Sequence, residues 1–310
     1  MSQVSQITNQ IMNLVDNTEE VDLDNVPLWL NKDYLENIMQ KYRRDSSVKI
    51  KFIKIKPCGG NGESFASIMY RVEVVYEPLE KGSYIVKTLP ANELAIEKLG
   101  MGSYNVQNKE MDIYKRILPE LKKYLKSINE DKYVFPKALA VDVNNEVIIL
   151  EDLAEKNFVM PDRKKGLDLI HLKMGLDKLA KLHASSLVVA EKDKNIFEKF
   201  DVGMISRATS AFHCFFLSNM DALIHEVSEW PKYEKYAKKL NKMKEIVLEK
   251  AFQVFDNNEG DLKVLCHGDL WTNNLMYTYD DAGNPTDVIL VRIIELAKKT
   301  FINSANFSID

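Results

Sequence analysis

The chain has 310 residues, ample for a buried core in one large or two small domains, and its 45% hydrophobic and 28% charged residues are ordinary globular values. A formal charge of −4, with lysines spread along the chain, argues against nucleic acid or an anionic membrane as partner, since both are gripped by a basic surface. Cys58, Cys214 and Cys266 are far apart and the five histidines lack ligand spacing, so neither a disulfide framework nor a structural zinc site is expected.

Residues 1–26 read as a polar arm, without the basic start and apolar run of a secretory signal. No stretch approaches the length of a membrane span, so a cytoplasmic, monomeric protein is expected. Residues 27–150 read as a small sheet with one helix. "KIKFIKIKP" (49–57) alternates Lys with Ile and Phe as a strand does, with a bulge expected at Phe52-Ile53. The glycine-dense "CGGNGES" (58–64) follows, then "SIMYRVEVVY" (67–76) and "GSYIVKTL" (82–89) as two more strands. Strand, glycine-rich turn, strand is the format of a loop whose backbone N–H groups cover nucleotide phosphates, which singles out Gly60 and Gly62. The spacing does not match G-x-G-x-x-G, and a plain hairpin turn is the competing reading.

Lys87 stands inside the apolar run Tyr84–Leu89, where a lone lysine normally turns to solvent. In "NVQNKEMDIYKRILPEL", Val106, Ile113, Tyr114, Ile117 and Leu121 recur at helical spacing, and Glu110 falls on the same face. A carboxylate on a buried stripe is costly unless paired, and Lys87 is the candidate partner. A strand lysine tethered by a helix glutamate is how kinase-like folds hold a cation against nucleotide phosphates. "VIILEDL" (147–153) reads as a strand leading into the connection between two lobes, where the backbone of Glu151 and Leu153 would meet adenine.

Residues 151–291 read as mainly helical until their end. One helix carries an apolar stripe of Leu172, Leu176, Leu179, His183 and Leu187, with His183 as a core histidine. Two helices follow, and Phe212, Phe215 and Phe216 on the first are either plain core or the lining of an apolar pocket. Then comes "KVLCHGDLWTNNLMYTYDDAGNPTDVILV", read as strand, loop, strand, turn at Asp281–Pro285, strand. His267, Asp269 and Asn274 have the H-x-D-x-x-x-x-N spacing of a phosphoryl-transfer loop. There the Asp takes a proton from the attacking hydroxyl, and the Asn binds Mg²⁺ beside the triphosphate.

The phrases "GESFASIMYRVEV", "YIVKTLP", "EMDIYKRILPEL", "ILEDLAEKNF", "LAKLHASSL" and "VLCHGDLWTNNLMY" make residues 27–291 resemble the insect ecdysteroid kinase-like (CHK kinase-like) family, relatives of choline and aminoglycoside kinases. Trp271 after "HGDL" favours this group over the choline kinases. The resemblance implies an α+β, two-lobed protein-kinase-like fold with a β-rich N-lobe and a mainly helical C-lobe. It implies ATP and Mg²⁺ as cofactors and a small-molecule alcohol as acceptor, with ecdysteroids and other steroids as candidates. By the same resemblance Lys87 would hold phosphates, Glu110 would orient it, Asp269 would be the base and Asn274 a metal ligand.

One element of the pattern breaks. In the family the strand after the loop ends in an Asp that bridges Mg²⁺ to the phosphates, whereas "DVILV" runs into Arg292-Ile293-Ile294. Glu295 falls on the opposite face of that strand, and Asp287 stands at its wrong end. After Val291 the sequence departs from the family, so residues 292–310 read as a divergent tail or truncated isoform end with an incomplete C-lobe. Two expectations therefore stand together: an active small-molecule kinase with weakened or lost Mg²⁺ binding, and a non-catalytic nucleotide- or ligand-binding pseudokinase.

Overall fold

The computed structural model describes residues 26–58, 68–88, 106–130, 134–200, 206–207, 210–255 and 264–291. The first element, α1 (Lys32–Arg43), was not anticipated from the sequence, which offers only two buried apolar anchors, Leu35 and Met39. Its ends are specified locally. Asn31 accepts the N–H of Tyr34 at 3.0 Å, Asp33 lies in the first turn, and Arg44 closes the helix in the left-handed region at φ 55°.

Five strands form an antiparallel sheet in the order β1-β2-β3-β5-β4: β1 (Ile50–Pro57), β2 (Ile68–Tyr76), β3 (Lys81–Thr88), β4 (Ala138–Asp142) and β5 (Val147–Glu151). The expected bulge in β1 falls between Ile50 and Phe52, slightly earlier than its spacing predicts. Period-two alternation gives the sheet two different faces. Tyr70, Val72, Val74, Tyr76, Val86, Val147 and Ile149 pack under α1. Ile148 and Leu150 pack on the other side against Met111 and Tyr114 of the next helix.

That helix starts as α2 (Val106–Asp112), widens to a π turn at Ile113–Ile117 and continues as α3 (Leu118–Ser127). Leu118 donates its N–H to Ile113, and Pro119, which has no N–H and crowds the preceding turn, is the local cause of the widening. Ile113, Ile117, Leu121 and Leu125 then join the core of the second half, with Leu182, Val189, Phe200 and Leu265.

The second half is built on α4 (Leu169–Lys192), capped by Asp168, whose side chain accepts the N–H groups of Ile170 and His171 at 3.0 Å each. Its orientation departs from the leucine stripe. The buried face carries Gly175, Lys178, Leu182, Ser185, Ser186 and Val189, whereas Leu172 and Leu176 are 44% and 48% exposed. The reason lies in the hairpin packed on it, β6 (Leu275–Tyr279) and β7 (Pro285–Leu290). A Cβ at Gly175 would sit 3.5 Å from both Leu275 and Tyr277, ordinary van der Waals contact, so this face of α4 lies close against the hairpin. Leu179 is partly buried beside this core, and burial lowers the pKa of His183. Helices α5 (Ser210–Glu229), α6 (Glu234–Lys244) and α7 (Val247–Phe255) complete the described part.

The fold is α+β, an antiparallel sheet with a helix on each face followed by a helical part, and it has the two-lobed kinase-like arrangement. Among the described residues no helix is long and apolar enough to cross a membrane.

Candidate functional site

Lys87 lies on β3, the middle strand, between Met69 of β2 and Ile148 of β5. It points to the face occupied by α2, and both Lys87 and Glu110 are buried, at 3% and 1% exposure. Its Nζ meets both carboxylate oxygens of Glu110, at 2.5 Å to Oε1. Two charges this deep are tolerated because each is the other's compensation.

The β1–β2 pairing runs to Pro57 opposite Tyr70, and Cys58 donates its N–H to Met69 at 2.7 Å. The segment joining these strands carries Gly60 and Gly62, which lie outside the described residues.

At the end of β5 the side chains are already engaged. Glu151 accepts the N–H of Lys137 at 2.8 Å and pairs with Lys156 at 2.5 Å. Asp152 takes Arg71 Nε and Ser83 Oγ at 2.7 Å each, and its other oxygen caps Ala154 at 3.1 Å. Burial pushes the Asp152 carboxyl up, but Ser83 and Arg71 outweigh it, and the net pKa is lowered. Leu153 is buried and opens a 3-10 turn, Leu153–Lys156. Recognition of a base here would therefore fall to the backbone. The Arg71–Ser83–Asp152 cluster escaped the sequence reading; its one signal is the charge that alternates into β2.

His267 is buried and stacks on Phe135 at 6.1 Å between centroids, while its Nδ1 accepts the N–H of Asp269 at 3.3 Å. Gly268, at φ 80°, makes the turn between them in a region that favours glycine. Asn274 closes the loop: its Nδ2 donates to Asp269 Oδ2 at 2.7 Å and to the Asp269 carbonyl at 2.6 Å. Asn274 Oδ1 is left as the atom able to face a cation. The loop is fastened from α4 by Ser186, whose Oγ accepts the N–H of Leu265 at 2.9 Å and donates to His183 at 2.7 Å. Ser186 is a second residue that the sequence reading passed over, inside the phrase "HASSL".

Thus the structure brings the expected residues together as two contacting pairs, Lys87 with Glu110 and Asp269 with Asn274. The donors present suit the two cofactors unequally. A buried lysine held on the sheet face suits a polyphosphate. For a metal ion, no three His, Cys, Asp or Glu side chains converge among the described residues. Asn274 and Asp269 are a partial set, and Arg292 and Glu295 lie outside the described residues. So do the side chains of Phe212 and Phe215; Phe216 is half-buried on α5.

Compared with known families, residues 61–291 match the model of the ecdysteroid kinase-like family, a span of well over half the chain. No curated protein matches the chain.

Proposed function

The chain belongs to the ecdysteroid kinase-like family, and from that premise we propose that it transfers the γ-phosphoryl group of ATP to a hydroxyl of an apolar small molecule, with steroid alcohols as the acceptor class. The observation that carries this reading is the buried Lys87–Glu110 pair in a fold whose second half holds Asp269 and Asn274 in one hydrogen-bonded loop. Lys87 holds the α- and β-phosphates and Glu110 fixes its position. Gly60 and Gly62 cover the phosphates with backbone N–H groups, and Glu151 and Leu153 offer backbone groups to adenine. The acceptor oxygen attacks the γ-phosphorus, its proton passes to Asp269, and the bond to the β-phosphate oxygen breaks to release ADP. Kinase-like families use Mg²⁺ with ATP, and the ion supplies charge neutralisation on the phosphates; in this chain Asn274 is its proposed ligand, and its binding is weak.

A second reading is favoured by one observation. Arg292 follows Val291 where the family pattern has its second metal-binding Asp, and a guanidinium can bind phosphate without metal. On that reading the chain binds nucleotide and does not transfer phosphate.

Two measurements separate these readings. The first is a thermal melt of the full chain with ATP, in Mg²⁺ and in EDTA; ligand at ~100 times its Kd stabilises by about 2.7 kcal/mol, several degrees. A shift in Mg²⁺ is expected, and absence of a shift in both conditions overturns nucleotide binding. The second is ATP-dependent phosphorylation of a hydroxysteroid panel by the wild type and Asp269→Asn. Loss of ~10²–10⁴ in turnover with an unchanged melt is expected for a positioned base. A nucleotide shift without turnover on any acceptor selects the binding-only reading.

A further inference from the structure

Trp271 has no task in the chemistry proposed above, yet the loop holds it as firmly as it holds Asp269. Asn274 serves both. Its backbone N–H donates to the carbonyl of Trp271 at 2.9 Å, and its side chain donates to Asp269 Oδ2 at 2.7 Å. Leu270, between them, packs on the core of the second half, and Trp271 itself is extended, at φ −142° and ψ 177°. Side chains of an extended chain alternate, so Asp269 and Trp271 leave the loop on the side away from that core, with Cα atoms at most about 7 Å apart. The indole is 45% exposed, and no hydrogen bond, cation or aromatic ring engages it among the described residues. An indole is a broad, rigid apolar face that gains by being covered and loses little conformational freedom in being held.

We propose that Trp271 is the acceptor-binding residue of the site: the flat apolar body of a neutral fused-ring alcohol lies on its indole face, with the reacting hydroxyl directed at Asp269. This assignment rests on the phosphoryl-transfer reading for the role of Asp269 and adds what holds the acceptor beside it. A cationic alcohol is also drawn to an indole face, but quaternary ammonium ligands are held in cages of several rings. Trp271 meets no second ring among the described residues, so a single flat contact is what it offers. With Asn274 fixing both residues, an acceptor seated on the indole is presented to the carboxylate at one distance, and the contact orients the acceptor as well as binding it.

The test is titration of the full chain, without nucleotide, with ecdysone as a neutral fused-ring alcohol and with choline as a cationic one. The chain has three tryptophans, Trp29, Trp230 and Trp271, so the emission of the third is read as the difference between the wild type and Trp271→Phe. The wild type should bind ecdysone saturably, with emission moving to shorter wavelength as an exposed indole is covered. Trp271→Phe should keep most of the binding and lose that shift. Trp271→Ala should weaken binding at least tenfold, roughly the loss of an aromatic anchor, with an unchanged melt confirming the fold. Ecdysone binding by Trp271→Ala equal to that of the wild type overturns the assignment, as does absence of saturable binding by the wild type. Choline binding that is tighter than that of ecdysone and lost in Trp271→Ala overturns the neutral class. Transfer from ATP judges the kinase reading separately. Binding that depends on Trp271 without transfer leaves the indole as a ligand platform and removes the kinase reading, whereas transfer to ecdysone unaffected by Trp271→Ala does the reverse.

Discussion

Val291 donates its backbone N–H to the carbonyl of Asn274 at 3.0 Å, so the end of β7 lies against the loop that carries Asp269. The next residue in sequence is Arg292, where the proposed function has the family's metal-binding carboxylate replaced by a guanidinium. Arg292→Asp is therefore expected to make ATP binding metal-dependent, with Kd at least tenfold tighter in Mg²⁺ than in EDTA. The wild type should show a smaller ratio. Equal Kd values for the variant in the two conditions would remove position 292 from the metal site.

The Lys87–Glu110 pair predicts an asymmetric mutant cycle. Glu110→Gln or Lys87→Met alone leaves a buried charge without its compensation and should destabilise by about 3–5 kcal/mol. The double variant Lys87→Met/Glu110→Leu should recover most of that loss. Urea denaturation reads the stability, and ATP titration should show that the stable double variant has lost nucleotide binding. A double variant as unstable as the two singles summed would mean that the pair is not coupled.

Asp152 predicts an acid-side signature. Its folded pKa lies below the ordinary 3.8, so its contribution is complete above that value and is lost as pH falls through the folded pKa. Denaturant stability between pH 7 and pH 3 should fall more steeply for the wild type than for Asp152→Asn, with the difference confined to the region below about pH 4. Arg71→Ala should move the wild-type curve toward the variant's. Parallel curves would show that the carboxylate is not linked to folding.

Lys178 predicts the opposite sign at the alkaline end. Burial lowers its pKa although Asp287, at 3.4 Å, works against the shift. The charged form is thus disfavoured in the folded protein, and the penalty is relieved as pH rises from the folded pKa toward the ordinary value of about 10.4. Lys178→Met should be neutral or stabilising at pH 7 and should lose the alkaline gain. Asp287→Asn should destabilise by on the order of 1–3 kcal/mol, because the cation keeps its burial and loses its counter-charge. Urea denaturation at pH 7 and pH 10 distinguishes these outcomes.

What the sequence made legible follows from how local each signal is. The strands show through because their alternation is set by burial on a single sheet. The contact of Lys87 with Glu110 was expected because a carboxylate on an apolar helical stripe demands a cation. The loop from His267 to Asn274 is likewise a short-range pattern. Arg71 and Asp152, by contrast, are 81 residues apart, and nothing in either neighbourhood names the other. The orientation of α4 was illegible for a different reason. Its leucines mark the most apolar stripe, but the hairpin, distant in sequence, packs on the face where Gly175 meets Leu275 and Tyr277. α1 went unseen because one turn of apolar residues sufficed to seat it on a sheet that supplies most of the burial.

The π turn at Ile113–Ile117 works as a spacer of one residue. In an uninterrupted α-helix, adding or removing a residue swings everything on one side by about 100° relative to the other. Here the wide turn absorbs the extra residue locally, so Glu110 keeps its aim at Lys87 while Leu121 and Leu125 keep theirs in the core. The helix consequently has one place where its length can change without unthreading either end. Removing the exposed Lys115 together with Pro119→Ala converts the spacer to ordinary helix, whereas a deletion anywhere between Lys122 and Lys126 turns Leu125 out of its seat.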